Sequence, residues 1–274
     1  MTRNTAYAGS FYDASPDVIR KQFDKWFARA VLPTGITNVR GVICPHAGFV
    51  YSGACAAHSY KLLSQQKFKT AIILHPSHRG NHFGFSVSPF TTYKTPLGEL
   101  LLDIDIANIL INNGSQQIDA SYHQTEHSME VQLPFLTYIN PKVKIVPVMI
   151  GNQTNEVSLE LAEILSEVIS KQPNDIVVIV STDLSHYHTS EEAEQMDKSL
   201  IEYVINNDIP EFYHNIMHGK IEACGFAGIM SLLYLAKHYQ DEKIIELNYT
   251  HSGYVSKDFE QVVGYLSAAL VSTD

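Results

Sequence analysis

Ile176-Val177-Val178-Ile179-Val180-Ser181-Thr182-Asp183-Leu184-Ser185-His186 is an apolar, β-branched run that passes into a polar tail ending in histidine. Two other stretches repeat the pattern: Val42-Ile43-Cys44-Pro45-His46 and Ala71-Ile72-Ile73-Leu74-His75-Pro76-Ser77-His78. Apolar runs without alternation read as strands buried on both faces, as in a parallel sheet covered by helices. In such a sheet the residues just past the C-terminal strand ends face the crevice where ligands bind. Each histidine alone is equally readable as a hydrogen-bonded loop residue. Three of them at one sheet edge, with a carboxylate among them, suggest a metal site, since neutral imidazole is the commonest metal ligand and suits zinc, copper and iron.

The segments between these strands carry helical spacing. Asp17 to Ala30 places Ile19, Phe23, Trp26 and Phe27 on one stripe. Gly53 to Leu63 reads as an alanine-rich helix entered through the loop Pro45 to Gly53, and Leu101 to Asn112 as a helix stopped by an αL cap at Asn113-Gly114. Ser128 to Ile139 reads as one helix that Pro134 kinks or restarts. Glu156 to Ser170 presents Leu159, Leu161, Ile164, Leu165, Val168 and Ile169 as one apolar face, Thr189 with Glu192 resembles a capping box, and Gly225 to Tyr239 is a further helix. Phe83 to Val87, Val143 to Ile150, Ile244 to Tyr249 and Val262 to Leu270 read as additional strands. Strands alternating with helices imply a single α/β domain over 1–274, with a mixed, partly parallel central sheet flanked by helices.

Composition narrows the function classes. A hydrophobic share of 45% supplies a sizeable core. A net charge of −10 without a Lys/Arg cluster gives no footprint for nucleic acid or anionic lipid. With no apolar signal core at the N-terminus and no run approaching the roughly 20 residues that span a bilayer, the expectation is a cytoplasmic protein. The three cysteines, Cys44, Cys55 and Cys224, form no C-x-x-C pair and read as reduced thiols, whereas thirteen histidines are many for this length.

Among the candidate site residues, His46 lies one residue past a strand in a loop of small neighbours. His78 has the same placement, with Ser77 able to fix its ring. Asp183 serves either the site or the cap of the next helix. Glu126-His127-Ser128-Met129-Glu130 opens a helix where acidic residues satisfy the dipole in any case, and His127 and Glu130 are spaced to reach a common atom. Cys224 precedes a helix start, where a thiolate is most readily stabilised, while Cys44 and Cys55 read as buried hydrophobes. His75 and His82 read as structural. Glu211-Phe212-Tyr213-His214 is half of a di-iron pattern with no second copy, so Glu211, His214 and His218 read as a solvated helix face. No G-x-S-x-G elbow and no glycine-rich phosphate loop occur.

Taken together, Pro45-His46-Ala47-Gly48-Phe49-Val50-Tyr51-Ser52-Gly53, Pro76-Ser77-His78, Glu126 to Glu130, Ser181 to His186, Ala223-Cys224-Gly225 and the opening Ala8-Gly9-Ser10-Phe11-Tyr12 resemble the Memo family, whose prokaryotic members are called AmmeMemoRadiSam system protein B. That resemblance implies the fold of the class III extradiol (LigB-like) ring-cleaving dioxygenases, which bind non-haem iron(II) with two histidines and a carboxylate. It implies His46 and His78 as metal ligands and Cys224 in the third-ligand place, with His127 and His186 lining the site as acid/base groups; the D-x-x-H element adds Asp183 beside them as a further candidate catalytic residue. Iron(II), or else copper or zinc, is the implied cofactor, and a small molecule or peptide the implied occupant of the pocket. A functional link to AMMECR1-like and radical SAM proteins is implied as well. Two functions follow from the same residues: a metal-dependent oxidoreductase, or a non-catalytic module that captures a peptide or metal.

Overall fold

The computed structural model describes residues 1–239 and 241–273, so Gln240 and Asp274 of the expected 1–274 unit lie outside the described residues. In chain order the elements begin with β1 (Thr2–Arg3), α1 (Pro16–Arg29), β2 (Ile36–Cys44), α2 (Phe49–Leu63) and β3 (Thr70–Pro76). They continue with β4 (Phe85–Val87), β5 (Thr92–Thr95), β6 (Gly98–Leu102), α3 (Ile104–Asn112), α4 (Ala120–Gln124), α5 (His127–Glu130) and α6 (Leu133–Ile139). Then come β7 (Lys144–Ile150), α7 (Asn155–Lys171), β8 (Ile176–Ser181), β9 (His186–His188), α8 (Ser190–Ile205) and α9 (Ile209–Met217). The chain closes with α10 (Phe226–Ala236), β10 (Glu242–His251), α11 (Gly253–Ser256) and β11 (Val262–Thr273).

One mixed sheet runs in the order β1-β5-β6-β7-β3-β8-β2-β11-β10, with β4 added to β7 and β9 to β11. Its centre, β6 through β2, is parallel, and β11 pairs antiparallel with both β2 and β10. The apolar runs are continuous because both faces are covered. Ile72 and Leu74 of β3, and Val178 and Val180 of β8, point into one core, under α3, α7 and α10. The residues between them, Ala71, Ile73, Val177 and Ile179, point into the other, under α1, α2 and α6. Because β2, β3 and β8 are parallel neighbours, Cys44, Pro76 and Ser181 end at the same sheet edge. Among the described residues, no helix is long and apolar enough to cross a membrane.

Several boundaries differ from the sequence expectation for identifiable reasons. Helix α2 starts at Phe49, not Gly53, because Gly48 caps it: the Tyr51 and Ser52 N–H groups donate to the Gly48 carbonyl. Gly53 is inside the helix, where the Trp26 ring would lie 2.5 Å from any added Cβ. Leu101 and Leu102 belong to β6, since Asp103 accepts from the Ile106 N–H and starts α3 after them. The turn that follows places Gly114 at φ +122°, outside the αL region. Ser128 to Ile139 is two helices, with Pro134 in the first turn of the second, where its missing N–H costs nothing. Leu159 is exposed at the edge of the α7 stripe. The capping box of α8 forms as expected.

Candidate metal centre

The ends of β2 and β3 bring His46 and His78 together, with ring centroids 5.4 Å apart. His46 follows β2 and is buried. Its Nδ1 is 2.9 Å from Ser181 Oγ, and that hydroxyl spends its proton on the Ser128 carbonyl, at 2.6 Å, while accepting from Gln132 Nε2. The hydrogen-bond network therefore assigns the His46 proton to Nδ1 and leaves the Nε2 lone pair free. Burial, and then the nearby His127 and His78 rings, hold His46 well below the usual imidazole range, so it stays neutral.

His78 is held by one carboxylate at two points. Glu126 accepts from the His78 backbone N–H at 2.8 Å and from its Nδ1 at 2.9 Å, which leaves Nε2 as the ring nitrogen outside that clamp. The fully buried Glu126 also caps α5 through the Ser128 N–H and lies 3.3 Å from His127 Nδ1. Burial opposes the charge on Glu126, but the hydrogen bonds from His78 and the His78 and His75 rings outweigh it and hold the carboxyl well below its ordinary range. Glu126 thus does more than satisfy a helix dipole. Ser77, expected to fix the His78 ring, instead accepts from the Arg79 and Gly80 N–H groups.

His127 packs on His78 with ring centroids 4.5 Å apart and lies 5.3 Å from His46, backed by Phe11. Burial is the main reason its pKa is lowered to about 4. Glu130 does not join it. That carboxylate points the other way, into a buried ion pair with Arg3 at 2.6 Å, and accepts from the Ala6 and Tyr7 N–H groups and the Tyr12 hydroxyl.

Cys224 enters from the far side of the chain. Its Sγ is 3.1 Å from His46 Nε2 and accepts the Asp183 N–H at 3.2 Å. Gln153 fixes it by donating to the Cys224 carbonyl at 2.6 Å while accepting from the Ala227 N–H. Gly225 is required beside it, because a Cβ there would meet the Ser181 carbonyl at 2.6 Å. The expected thiolate at a helix start is not what the protein alone provides. The cap of α10 is Gly225, and burial, reinforced by the Asp183 charge, pushes the thiol up instead. Cys44 and Cys55 are buried, as expected.

Asp183 caps no helix. Its Oδ1 accepts from the His46 and Ala47 N–H groups at 2.7 and 3.3 Å, and its Oδ2 lies 3.9 Å from His46 Nε2, so it clamps the loop that carries His46. Burial raises its carboxyl pKa. His186 stands apart from the three clustered rings. Its Nδ1 bonds the Leu184 carbonyl at 2.7 Å, its N–H donates to Glu222, and it lines a recess that reaches Cys224. His75 is structural and bonds Ser128, while His82 packs on Tyr122 and Phe83. Glu211, His214 and His218 are exposed on α9 and the turn after it.

One ligand atom each from His46, His78 and Cys224 falls within 4.8 Å of the others, and the same holds for His78, Glu126 and His127. The first set suits a resident metal. Two imidazoles, each with Nδ1 tied down, stand beside a sulfur donor, a mixture that favours iron, copper or zinc over magnesium or calcium. The sequence missed Glu126, Gln132, Ser181 and Gln153 as the groups that orient these donors. Only Glu126 carried a signal, as the residue immediately before His127.

A profile of the Memo-like protein family matches residues 3–269. A MEMO1 family protein of Sulfurisphaera tokodaii is 39% identical over 280 residues, covering 97% of this chain and 98% of the relative. Another, from Methanosarcina barkeri, is 36% identical over 265 residues, covering 96% and 97%. An uncharacterized protein of Escherichia coli K12 superposes loosely, with a TM-score of 0.44 and 11% identity over 83% of this chain and 99% of that one.

Proposed function

Because the chain belongs to the Memo family, we propose that its sheet edge holds one metal ion through His46, His78 and Cys224. Iron(II) is the first choice, with copper or zinc as alternatives, and the activity is that of an oxidoreductase on a small molecule. The observation that carries this reading is the shared proton arrangement of the two histidines. Ser181 and Glu126 each accept an Nδ1 proton, His46 turns its Nε2 to within 3.1 Å of the Cys224 sulfur, and a ring nitrogen of His78 lies within 4.8 Å of both.

A bound iron or copper ion would supply Lewis acidity and one-electron redox chemistry. The chain's own groups do the rest. His127, whose pKa burial lowers to about 4, is unprotonated at neutral pH and is the base available at the site, and Glu126, 3.3 Å from its Nδ1, would stabilise a transient imidazolium. His186 offers a second acceptor at the Cys224 side through the nitrogen that Leu184 does not occupy. Asp183 keeps the His46 loop in place.

Metal analysis of protein purified without oxygen tests the reading. About one first-row ion per chain is expected, and His46→Ala or His78→Ala should remove it while the circular dichroism spectrum is retained. Unchanged metal content in both variants would overturn the assignment. Protein that purifies empty and takes up no ion would point to the non-catalytic binding module.

A further inference from the structure

Between β9 and the start of α10 a shallow, open recess of about 320 Å³ reaches Cys224. Its walls are of two kinds. Ile216, Ile221 and Phe226 form an apolar side, while His186, Glu222 and Cys224 form a polar one.

The polar side is built to an unusual degree. Glu222 spreads its two carboxylate oxygens over both ends of β9: Oε2 accepts the His186 N–H at 3.1 Å, and Oε1 accepts from His188 Nε2 at 3.0 Å. The residue between them, Tyr187, has φ +63°, a left-handed conformation that costs energy for a bulky side chain and persists only when neighbours enforce it. Each carboxylate oxygen has about two acceptor positions, so Glu222 retains capacity for a further donor. His186, its Nδ1 committed to Leu184, adds a ring nitrogen that also accepts. Among the described residues, no lysine or arginine lines the recess.

We infer that this recess is the substrate subsite of the proposed metal centre, and that it takes small molecules with an apolar or aromatic body and a hydrogen-bond-donating head, amines before alcohols because they offer more N–H donors to Glu222 and His186. The inference rests on the metal-centre reading for the word substrate, but the binding itself does not. The apolar wall takes the body, and Glu222 and His186 accept from the head, so a head without an N–H or O–H donor finds no partner on the protein side.

The test uses benzylamine, benzyl alcohol and benzoate, which share one ring and differ in the head. Each is titrated into the full-length protein, metal-free and iron(II)-loaded, and followed by the NMR resonances of His186 and Phe226. In the metal-free protein benzylamine should shift both, benzyl alcohol should shift them more weakly, and benzoate should leave them unmoved. Glu222→Gln should weaken benzylamine about threefold, the scale of a part-exposed charge pair, and leave benzyl alcohol nearly unchanged. Ile216→Trp should fill the recess and abolish both. His46→Ala, which tests the metal centre, should leave benzylamine binding intact, so the two readings fail separately. Benzoate binding as tightly as benzylamine, or shifts confined to the separate acidic recess around Glu246 and Tyr254, would overturn the inference. So would the absence of any shift.

Discussion

His46 Nε2 lies 3.1 Å from the Sγ of Cys224, although 178 residues separate them. Neither residue reaches the other through its own element. The loop after β2 delivers the imidazole, and the turn before α10, pinned by Gln153 and by the contact of Gly225 with the end of β8, delivers the sulfur. The centre is therefore sensitive to the groups that hold its donors as well as to the donors.

Glu126→Gln should weaken metal binding by about 10- to 100-fold, the usual effect of losing a carboxylate behind a metal-bound histidine. The amide can still accept one bond, but it has no charge to fix the Nδ1 protons of both His78 and His127. Competition with a coloured chelator measures the change, and an affinity within twofold of the natural protein would show that Glu126 only caps α5.

In metal-free folded protein, iodoacetamide should modify Cys224 ahead of Cys44 and Cys55, because only Cys224 is partly exposed. Its thiol is pushed up by burial, and Cys44 is raised to about 12 by the same cause. The rate at neutral pH should therefore be slow and climb steadily up to pH 9 without a plateau. Peptide mapping over a pH series reads both features, and a rapid reaction that is flat above pH 7 would mean the thiolate already exists.

Arg3→Ala or Glu130→Ala should cost about 3–5 kcal/mol, since each leaves the other charge buried without its partner. Urea unfolding monitored by fluorescence gives the number. Replacing both with apolar residues of similar volume should recover most of the loss, and a double variant no better than the singles would count against the ion-pair explanation.

Stability should fall as the pH drops from about 6.5 toward 4. His75 and His123 are buried, with pKa values lowered to about 3 and 4, His127 is lowered to about 4, and His46 is lowered further by its surroundings. Below 6.5 the unfolded chain binds protons that the native state refuses, at ~1.4 kcal/mol per pH unit for each such ring. Glu126, lowered when folded, adds to the loss below its ordinary carboxylate range, whereas Asp183, raised when folded, opposes it. Arg3 and Glu126 are the charged groups facing His123, and His123→Gln should flatten the urea midpoint against pH. A midpoint independent of pH between 6.5 and 4.5 would contradict the buried neutral rings.

Much of the architecture was legible because strands covered on both faces must be apolar at consecutive positions, and Val177 to Val180 can satisfy that demand in few other ways. The short strands β1, β5, β6 and β9 left no comparable trace. They run two to five residues and are partly exposed, too short for a pattern of consecutive buried positions to show. His46, His78 and Cys224 were legible as candidates because strand ends and helix starts are marked locally.

By itself, then, the sequence determined the sheet, its covering helices and the residue types gathered at one edge, since periodicity and termini are properties of contiguous residues. Only the tertiary structure decided that Glu126 grips His78, that Glu130 turns away to Arg3, that Asp183 clamps the His46 loop in place of capping a helix, and that burial keeps the Cys224 thiol protonated in the protein alone. Each of these depends on direction and dielectric. A side chain's direction follows from the packing of elements more than a hundred residues apart, and its charge state from how much water that packing excludes.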